Sequence, residues 1–437
     1  KLRQQGTPFL ALRLDRKHPK GSPRQFGVDL GLPESPVNCL AEVSGGKHAV
    51  LILDQLDALR WTASHSTEGL EVCNGLLREV RSMRLLGGRI SIVLCCRTFD
   101  LEHDPQIRTW LKPTESFAVK KVAIGELPES RVREFAESFG INFDRMASKR
   151  QTLLRSVQNL AIWAEIVQSD EASLEFDSGT DLMRAFWKNR RREIEKAGFG
   201  TTERDELINR LVDFMESHAT LSAPIKLIEP HEGLATELQT LNVVHTDKRT
   251  VSFCHQSYLD FLIADRVVDQ LASGPAAVVE WLGDRSQQSL FRREQLRQLI
   301  FLLAEEAPGR LSTALDRLLA SNSVRFHIKQ LAIEAIGQLK PTDAIADFVI
   351  RLTDSENWRK HIIHDVLNGN FDWIKAFHDR GRLFGWLLSS DESLEGSAVW
   401  LLVSVAESRP LLVSEALEAT QQQGKQEILR GVLHYSK

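Results

Sequence analysis

The first quarter of the chain alternates short apolar runs with stretches of helical period. Residues 8–14 (PFLALRL), 49–53 (AVLIL) and 90–96 (ISIVLCC) are mostly apolar and of strand length. Runs like these, separated by helical stretches, predict strands of a parallel sheet buried on both faces. Between the last two, Leu70, Cys73, Leu76, Leu77 and Val80 recur at helical spacing, which predicts a helix over residues 68–83. A fourth strand is predicted at residues 117–124 (FAVKKVAI), where the alternation suits an edge or partly covered position. Beta-alpha alternation implies right-handed crossovers, with ligands at the carboxyl ends of the strands.

Beyond residue 127 the period becomes helical, with helices predicted at 129–139, 153–167, 181–194 and 205–217. A small mixed unit follows: a turn at 221–224, a helix at 233–241, strands at 243–245 and 251–253 about a turn at 247–249, and a returning helix at 256–271. Helix, hairpin and helix make a winged-helix outline, and Gly274-Pro275 punctuates its end. From residue 276 onward only helical periods remain, over 276–282, 292–306, 310–319, 323–337, 342–352, 358–368, 371–378, 382–388, 395–407, 411–420 and 425–433. Helix pairs at a spacing of roughly 30–45 residues fit an alpha-solenoid of HEAT-like units, with a plain helical bundle as the competing reading.

Composition narrows the class. The chain has 437 residues, room for two to four domains at roughly 100–200 residues each. No run approaches the roughly 18 apolar residues of a membrane span, and no charged-then-apolar leader opens the sequence, which begins with Lys1. With 55 basic against 59 acidic residues and a net charge of −4, no global field recruits nucleic acid or anionic lipid. Five cysteines (Cys39, Cys73, Cys95, Cys96, Cys254) are too sparse for a disulfide framework and suit a reducing, cytoplasmic setting.

Three segments carry candidate chemistry. In AVLILDQLD, a buried strand ends in Asp54 with Asp57 three residues on. At a strand's carboxyl end Asp54 would hold Mg²⁺ beside a triphosphate and Asp57 would position water; the alternative is a strand followed by a capping aspartate. In ISIVLCCRTFD, Arg97 at a second strand end offers a permanently charged, bidentate phosphate donor, or else pairs with Asp100 or Glu102. In VSFCHQSYLDFLIA, His255 stands at a strand-to-helix junction, where it is either a structural hydrogen-bonder or a ligand contact, with Ser257 and Asp260 placed as a capping-box-like pair. Other features read as structure. The basic cluster from Trp187 to Arg192 reads as a solvated helix face. His361 and His364 lack a completing ligand set, with Asp365 adjacent rather than facing. Cys95 and Cys96 alternate faces and read as core, as do Trp281, Trp358, Trp373, Trp386 and Trp400.

In this order the three motifs resemble the STAND class of P-loop ATPases, the NACHT-like branch of the AAA+ relatives. The Asp54–Asp57 strand resembles Walker B, the segment ending in Arg97 resembles the sensor 1 strand, and FCHQSYLDFLIA is similar to the winged-helix signature FxHxSxxEFLAA. The resemblance spans about residues 8–271. It implies an incomplete α/β nucleotide core over residues 1–125, a helical subdomain over 126–200, a winged helix over 201–273 and a HEAT-like sensor over 274–437. It further implies that Asp54 coordinates Mg²⁺, Asp57 supports hydrolysis, Arg97 senses the γ-phosphate, and His255 contacts the β-phosphate of ADP in a closed state. Exchange to ATP would open the protein into homo-oligomers when a protein trigger meets the repeats, with antiphage defence the role such relatives commonly serve.

Two departures bear on that implication. No GxxxxGK[ST] loop is present, since Gly45-Gly46-Lys47 leads to His48 and a strand. The resemblance would put that loop immediately before residue 1, so this chain alone is expected to bind ATP weakly or not at all. The helical subdomain's usual proline is Gln158 here. Two other classes stay open: a non-catalytic helical-repeat scaffold with a decayed nucleotide core, and a winged-helix DNA-binding regulator. The latter's recognition stretch, residues 233–241, carries no Lys or Arg.

Overall fold

The computed structural model describes residues 2–15, 17–56, 59, 67–96, 101, 105–112, 118–167, 176, 178–271, 274, 277–285, 287–288, 290–406 and 410–422. The chain is mostly helical, with a small parallel three-stranded sheet and a separate antiparallel sheet. It divides into two compact units, Lys1–Leu259 and Asp260–Lys437.

In the first unit, β1 (Phe9–Arg13), α1 (Pro23–Asp29), α2 (Pro36–Ser44), β2 (Ala49–Asp54), α3 (Thr67–Leu85), β3 (Ile90–Leu94) and α4 (Pro105–Trp110) succeed one another. The strands are parallel in the order β1-β2-β3. The helices α1 and α2 have no long apolar period to announce them. Each is started by a serine, Ser22 or Ser35, whose hydroxyl caps the first turn, with proline at the start. Gly45, at φ 55°, then ends α2 in the left-handed conformation.

The sheet is not covered evenly. Register puts Leu12, Leu53 and Leu94 on one face, where leucines at these and neighbouring alternate positions pack against Val37, Leu40, Leu70, Leu76, Leu77 and Val80. The opposite face carries Ala11, Ile52 and Val93 in register. Among its described residues only Val50 is buried, and Val93 is 43% exposed. The expectation of burial on both faces is therefore corrected. A run of apolar residues reports that a strand is hydrophobic, but the helices in the described chain contribute their apolar stripes to one side only.

Residues 118–124 form no strand, and Val122 and Ile124 are 73% and 88% exposed. Their β-branched character expresses a fit to a half-buried pleated surface, and this segment lies on none. Next come α5 (Glu129–Ser138), α6 (Ser148–Leu153), α7 (Val157–Val167), α8 (Gly179–Lys196) and α9 (Thr201–Ser217). The basic cluster on α8 is only partly solvated: Lys188, Arg191 and Arg192 are exposed, but Trp187 and Arg190 are buried. Then come β4 (Ala223–Pro224), α10 (Glu232–Thr240), β5 (Val244–Thr246) and β6 (Thr250–Phe253), their sheet antiparallel in the order β4-β6-β5, followed in sequence by α11 (Gln256–Gln270), which runs on into the second unit.

The second unit holds α12 (Ala277–Leu282), α13 (Leu290–Glu306), α14 (Pro308–Ala320), α15 (Phe326–Gly337), α16 (Asp343–Leu352), α17 (Glu356–His361), α18 (Phe371–Asp379), α19 (Arg382–Leu387), α20 (Glu392–Val405) and α21 (Pro410–Gln422). A π-helical turn, Ile362–Leu367, continues α17 where an α-helix is expected. Gly337 permits its close approach, because a Cβ there would lie 2.4 Å from the Asp365 carbonyl oxygen. The helices α13, α15 and the π turn pack in succession, and α14, α16 and α18 do the same. Trp373 and Trp386 are core residues as expected, while Trp400 is 40% exposed with its ring 5.6 Å from that of His364. Asp365 faces His361 after all, Oδ2 to Nδ1 at 3.4 Å, because the pair is one helical turn apart. The predicted helix at 425–433 lies outside the described residues.

His327 on α15 gives this unit a pH dependence. Burial chiefly, and then the charges of Arg325 and Arg293, lower its imidazole to about 4, while a backbone hydrogen bond with Gln288 opposes the shift. A neutral imidazole in the fold and one of pKa 6.5 in the unfolded chain means that acid favours unfolding. The stability is whole above pH 6.5 and is lost as pH falls toward about 4. Urea melts across that interval are expected to show a falling midpoint, and His327→Gln is expected to flatten the slope. An unchanged slope would remove His327 as its cause.

Candidate functional site

The carboxyl end of the parallel sheet brings three side chains into one row. Arg13 is paired with Asp54 in the β1–β2 register. Cys95 stands opposite Asp54 on the other flank, its amide donating to the Leu53 carbonyl at 2.9 Å and its carbonyl accepting from the Leu56 amide at 2.9 Å. All three lie on the less covered face, which is why a carboxylate is tolerated directly after Leu53, a residue with no exposed surface.

Local chemistry holds Asp54 in place. Its Oδ1 accepts from the Gln55 amide at 3.0 Å, and its backbone carbonyl accepts from the Leu14 amide at 3.0 Å. The Cys95 thiol donates to the Asp54 side chain. Burial first, then the Asp54 charge and this hydrogen bond, raise the thiol's pKa, so it stays protonated. Gln55 adopts φ 58°. A left-handed non-glycine residue costs about 1 kcal/mol or more, and here it turns the chain sharply off the strand immediately after the carboxylate. Arg13 directs Nε and Nη2 to Asp15 at 3.2 and 2.6 Å. Sequence reading placed Arg13 on a strand without assigning it a role. The signal that would have found it is its position as the last residue of β1, one strand from Asp54.

Asp57 and Arg97, the expected water-positioning and phosphate-sensing residues, lie outside the described residues, as do Asp100 and Glu102. His255 is exposed and precedes α11, so it occupies the cap position, and Ser257 lies inside the helix instead. Its ring meets Tyr258 edge-on at 5.3 Å, and Tyr258 stacks on Phe186 of α8 at 4.6 Å. Phe186 in turn lies under the Arg190 guanidinium at 5.0 Å. His255 is therefore positioned by a packed column anchored in α8. Of the cysteines expected as core, Cys96 packs toward the leucine face while Cys95 belongs to the polar row.

The hairpin turn meets the segment that follows β1. Lys17 Nζ donates to Asp247 Oδ2 at 3.1 Å. Asp247 Oδ1 accepts from the Arg249 and Thr250 amides, both at 2.8 Å, which shapes the turn as an Asx motif. Burial alone would raise the Asp247 carboxyl, but these amides, the Lys17 ammonium and the Thr250 hydroxyl together hold it well below the usual carboxylate range. Beside this bridge lies a cavity of about 230 Å³, lined by Ala11, Leu12, Arg13, Lys17 and Ser222 together with His245, Asp247, Thr250 and Ser252.

Among the described residues, no group of three His, Cys, Asp or Glu side chains is arranged to hold a metal, and no helix is long and apolar enough to cross a membrane. An Mg²⁺ ion would need oxygen ligands, which Asp54 supplies once and bound water and phosphate oxygens would complete. No family model matches this chain. No curated protein matches it either.

Proposed function

We propose that the chain is the downstream part of a STAND-type, NACHT-like ATPase switch: an incomplete nucleotide core, a helical subdomain, a winged helix and a HEAT-like sensor. In this reading ATP and ADP bind with Mg²⁺ at the carboxyl end of the parallel sheet. Asp54 holds the ion, Asp57 and Arg97 serve hydrolysis and phosphate sensing, and His255 closes on the ADP state. A protein trigger at the helical repeats then favours an open, oligomeric form, in a cytoplasmic signalling or antiphage role.

The observation that carries this reading is Asp54 at the tip of the central strand, on the face left open by the described helices, with Arg13 in register beside it. An open apolar face on a parallel sheet is the place where a covering helix and its phosphate loop would add. The succession α13, α15, π turn on one layer and α14, α16, α18 on the other supports the repeat reading of the second unit.

Calorimetric titration of this chain with MgATP is expected to give little or no heat. With a phosphate-loop segment joined upstream, binding is expected to appear, and Asp54→Ala is expected to weaken the Mg²⁺-dependent part by about tenfold or more. Undiminished affinity in Asp54→Ala and Arg97→Ala would remove these residues from the site.

A further inference from the structure

We propose that the cavity between β1 and the β5–β6 hairpin binds a small phosphomonoester, a ligand distinct from the nucleotide of the preceding reading. Strand alternation builds this cavity. On the hairpin, Val244, Val251 and Phe253 are buried on one face. His245, Asp247, Thr250 and Ser252 share the other face, and all four line the cavity. Across from them, Ala11 and Arg13 lie on the less covered face of the parallel sheet, and Lys17 and Ser222 complete the lining. Six strand residues of the two sheets and three from the adjoining segments line the space, Ala11 and Leu12 being its aliphatic side chains.

The hydrogen-bonding inventory selects the ligand. Asp247 is the one carboxylate in the lining, and both its oxygens already accept, Oδ1 from two amides and Oδ2 from Lys17. Arg13 spends Nε and Nη2 on Asp15, and Lys17 spends one of its three N–H bonds on Asp247. Among the described residues, Arg13 and Lys17 keep N–H bonds to give, while the acceptors that remain are hydroxyl oxygens and part of Asp247 Oδ2. A ligand that fits brings acceptors, and a phosphate presents several to a guanidinium and an ammonium at once. Its remaining hydroxyls can meet Ser222 and Ser252, which both donate and accept.

Size and charge set the limits. The cavity, at about 230 Å³, falls below the roughly 300–1,000 Å³ of sites for drug-sized ligands, which suits a sugar phosphate and not a whole nucleoside triphosphate. The pairs Arg13–Asp15 and Lys17–Asp247 cancel as charges, so recognition rests on placed donors and affinity is modest. A ligand held there touches both the parallel sheet and the hairpin, and so draws the two together.

The test is calorimetry on the whole chain at fixed ionic strength, with ribose 5-phosphate as the probe and inorganic phosphate and ribose as separate arms. Saturable binding of ribose 5-phosphate, weaker binding of inorganic phosphate and none of ribose are expected. Arg13→Gln, Ser252→Leu and Ser222→Leu are each expected to weaken binding by about tenfold or more, while Lys248→Gln, exposed on the same hairpin turn and outside the lining, leaves it unchanged. Circular dichroism identifies any variant that fails to fold, and the remaining two then carry the comparison. Absence of saturable ribose 5-phosphate binding, equal binding of ribose, or full affinity in folded cavity-filling variants would overturn the proposal. Arg13 borders both sites, so Ser252→Leu and Ser222→Leu test the cavity, while the nucleotide reading is tested by Asp54→Ala with MgATP.

Discussion

Replacing Arg190 by methionine is expected to destabilise the first unit by about 3 kcal/mol, the low end for breaking a buried ion pair from one side. Arg190 is 4% exposed, and its two Nη atoms meet Glu165 of α7 at 2.5 Å and Glu193 at 2.6 Å. Methionine preserves much of the packing but strands two carboxylates whose side chains are only 31% and 25% exposed. Partial access to water keeps the cost at the low end. The loss should reach the candidate site, because Arg190 covers Phe186, Phe186 supports Tyr258, and Tyr258 holds His255. Urea denaturation measures the first effect, and the near-ultraviolet dichroism of Trp187 and Tyr258 measures the second. Arg191→Met, at an exposed position on the same helix, is expected to change stability by no more than about 0.5 kcal/mol. Equal behaviour of the two variants would show that burial of Arg190 has no energetic consequence.

Trp373→Ala is expected to cost the second unit about 3–5 kcal/mol, the range for deleting a fully buried aromatic side chain. Trp373 has no exposed surface, and its Nε1 donates to the Leu339 carbonyl at 2.9 Å. Alanine leaves a cavity between α18 and the segment after α15 and removes the donor from that carbonyl. Hydrogen exchange is expected to accelerate in α15, α16 and α18 while the α/β sheet keeps its protection. Trp400→Ala, at a position 40% exposed, should cost much less. Comparable losses from the two substitutions would contradict the distinction between a core and a surface tryptophan in this array.

The elements with a strong period were legible from sequence. The three parallel strands sit where apolar runs of strand length lie, and α3 coincides with the recurrence of Leu70, Cys73, Leu76, Leu77 and Val80. The hairpin after α10 also lies where two short apolar runs flank Asp247, Lys248 and Arg249. Elements fixed by capping in place of periodicity were missed: α1 and α2 depend on Ser22 and Ser35 bonding to amides three residues on. The run predicted as a strand at 117–124 misled in the opposite sense, since its residues suit a strand but those described, 118–124, pair with no described strand.

For the candidate site, Asp54 and His255 were singled out by type and position, but their surroundings were not. The pairing of Arg13 with Asp54 requires the parallel register, a contact between residues 41 positions apart. The thiol of Cys95 turned toward Asp54, and the Lys17–Asp247 bridge across 230 positions, are likewise invisible to local pattern.

By itself, the order of apolar runs determined that this protein pairs a parallel sheet with helices, follows it with a helix–hairpin–helix module, and ends in successive helices. Local chemistry suffices there, because periodicity and turn residues act over a few positions. Only the tertiary structure decided which face of the sheet stays open, which arginine of the α8 cluster is buried, and which polar groups share a cavity. Those outcomes depend on how distant segments compete for the same apolar surface, a competition that no stretch of sequence contains alone.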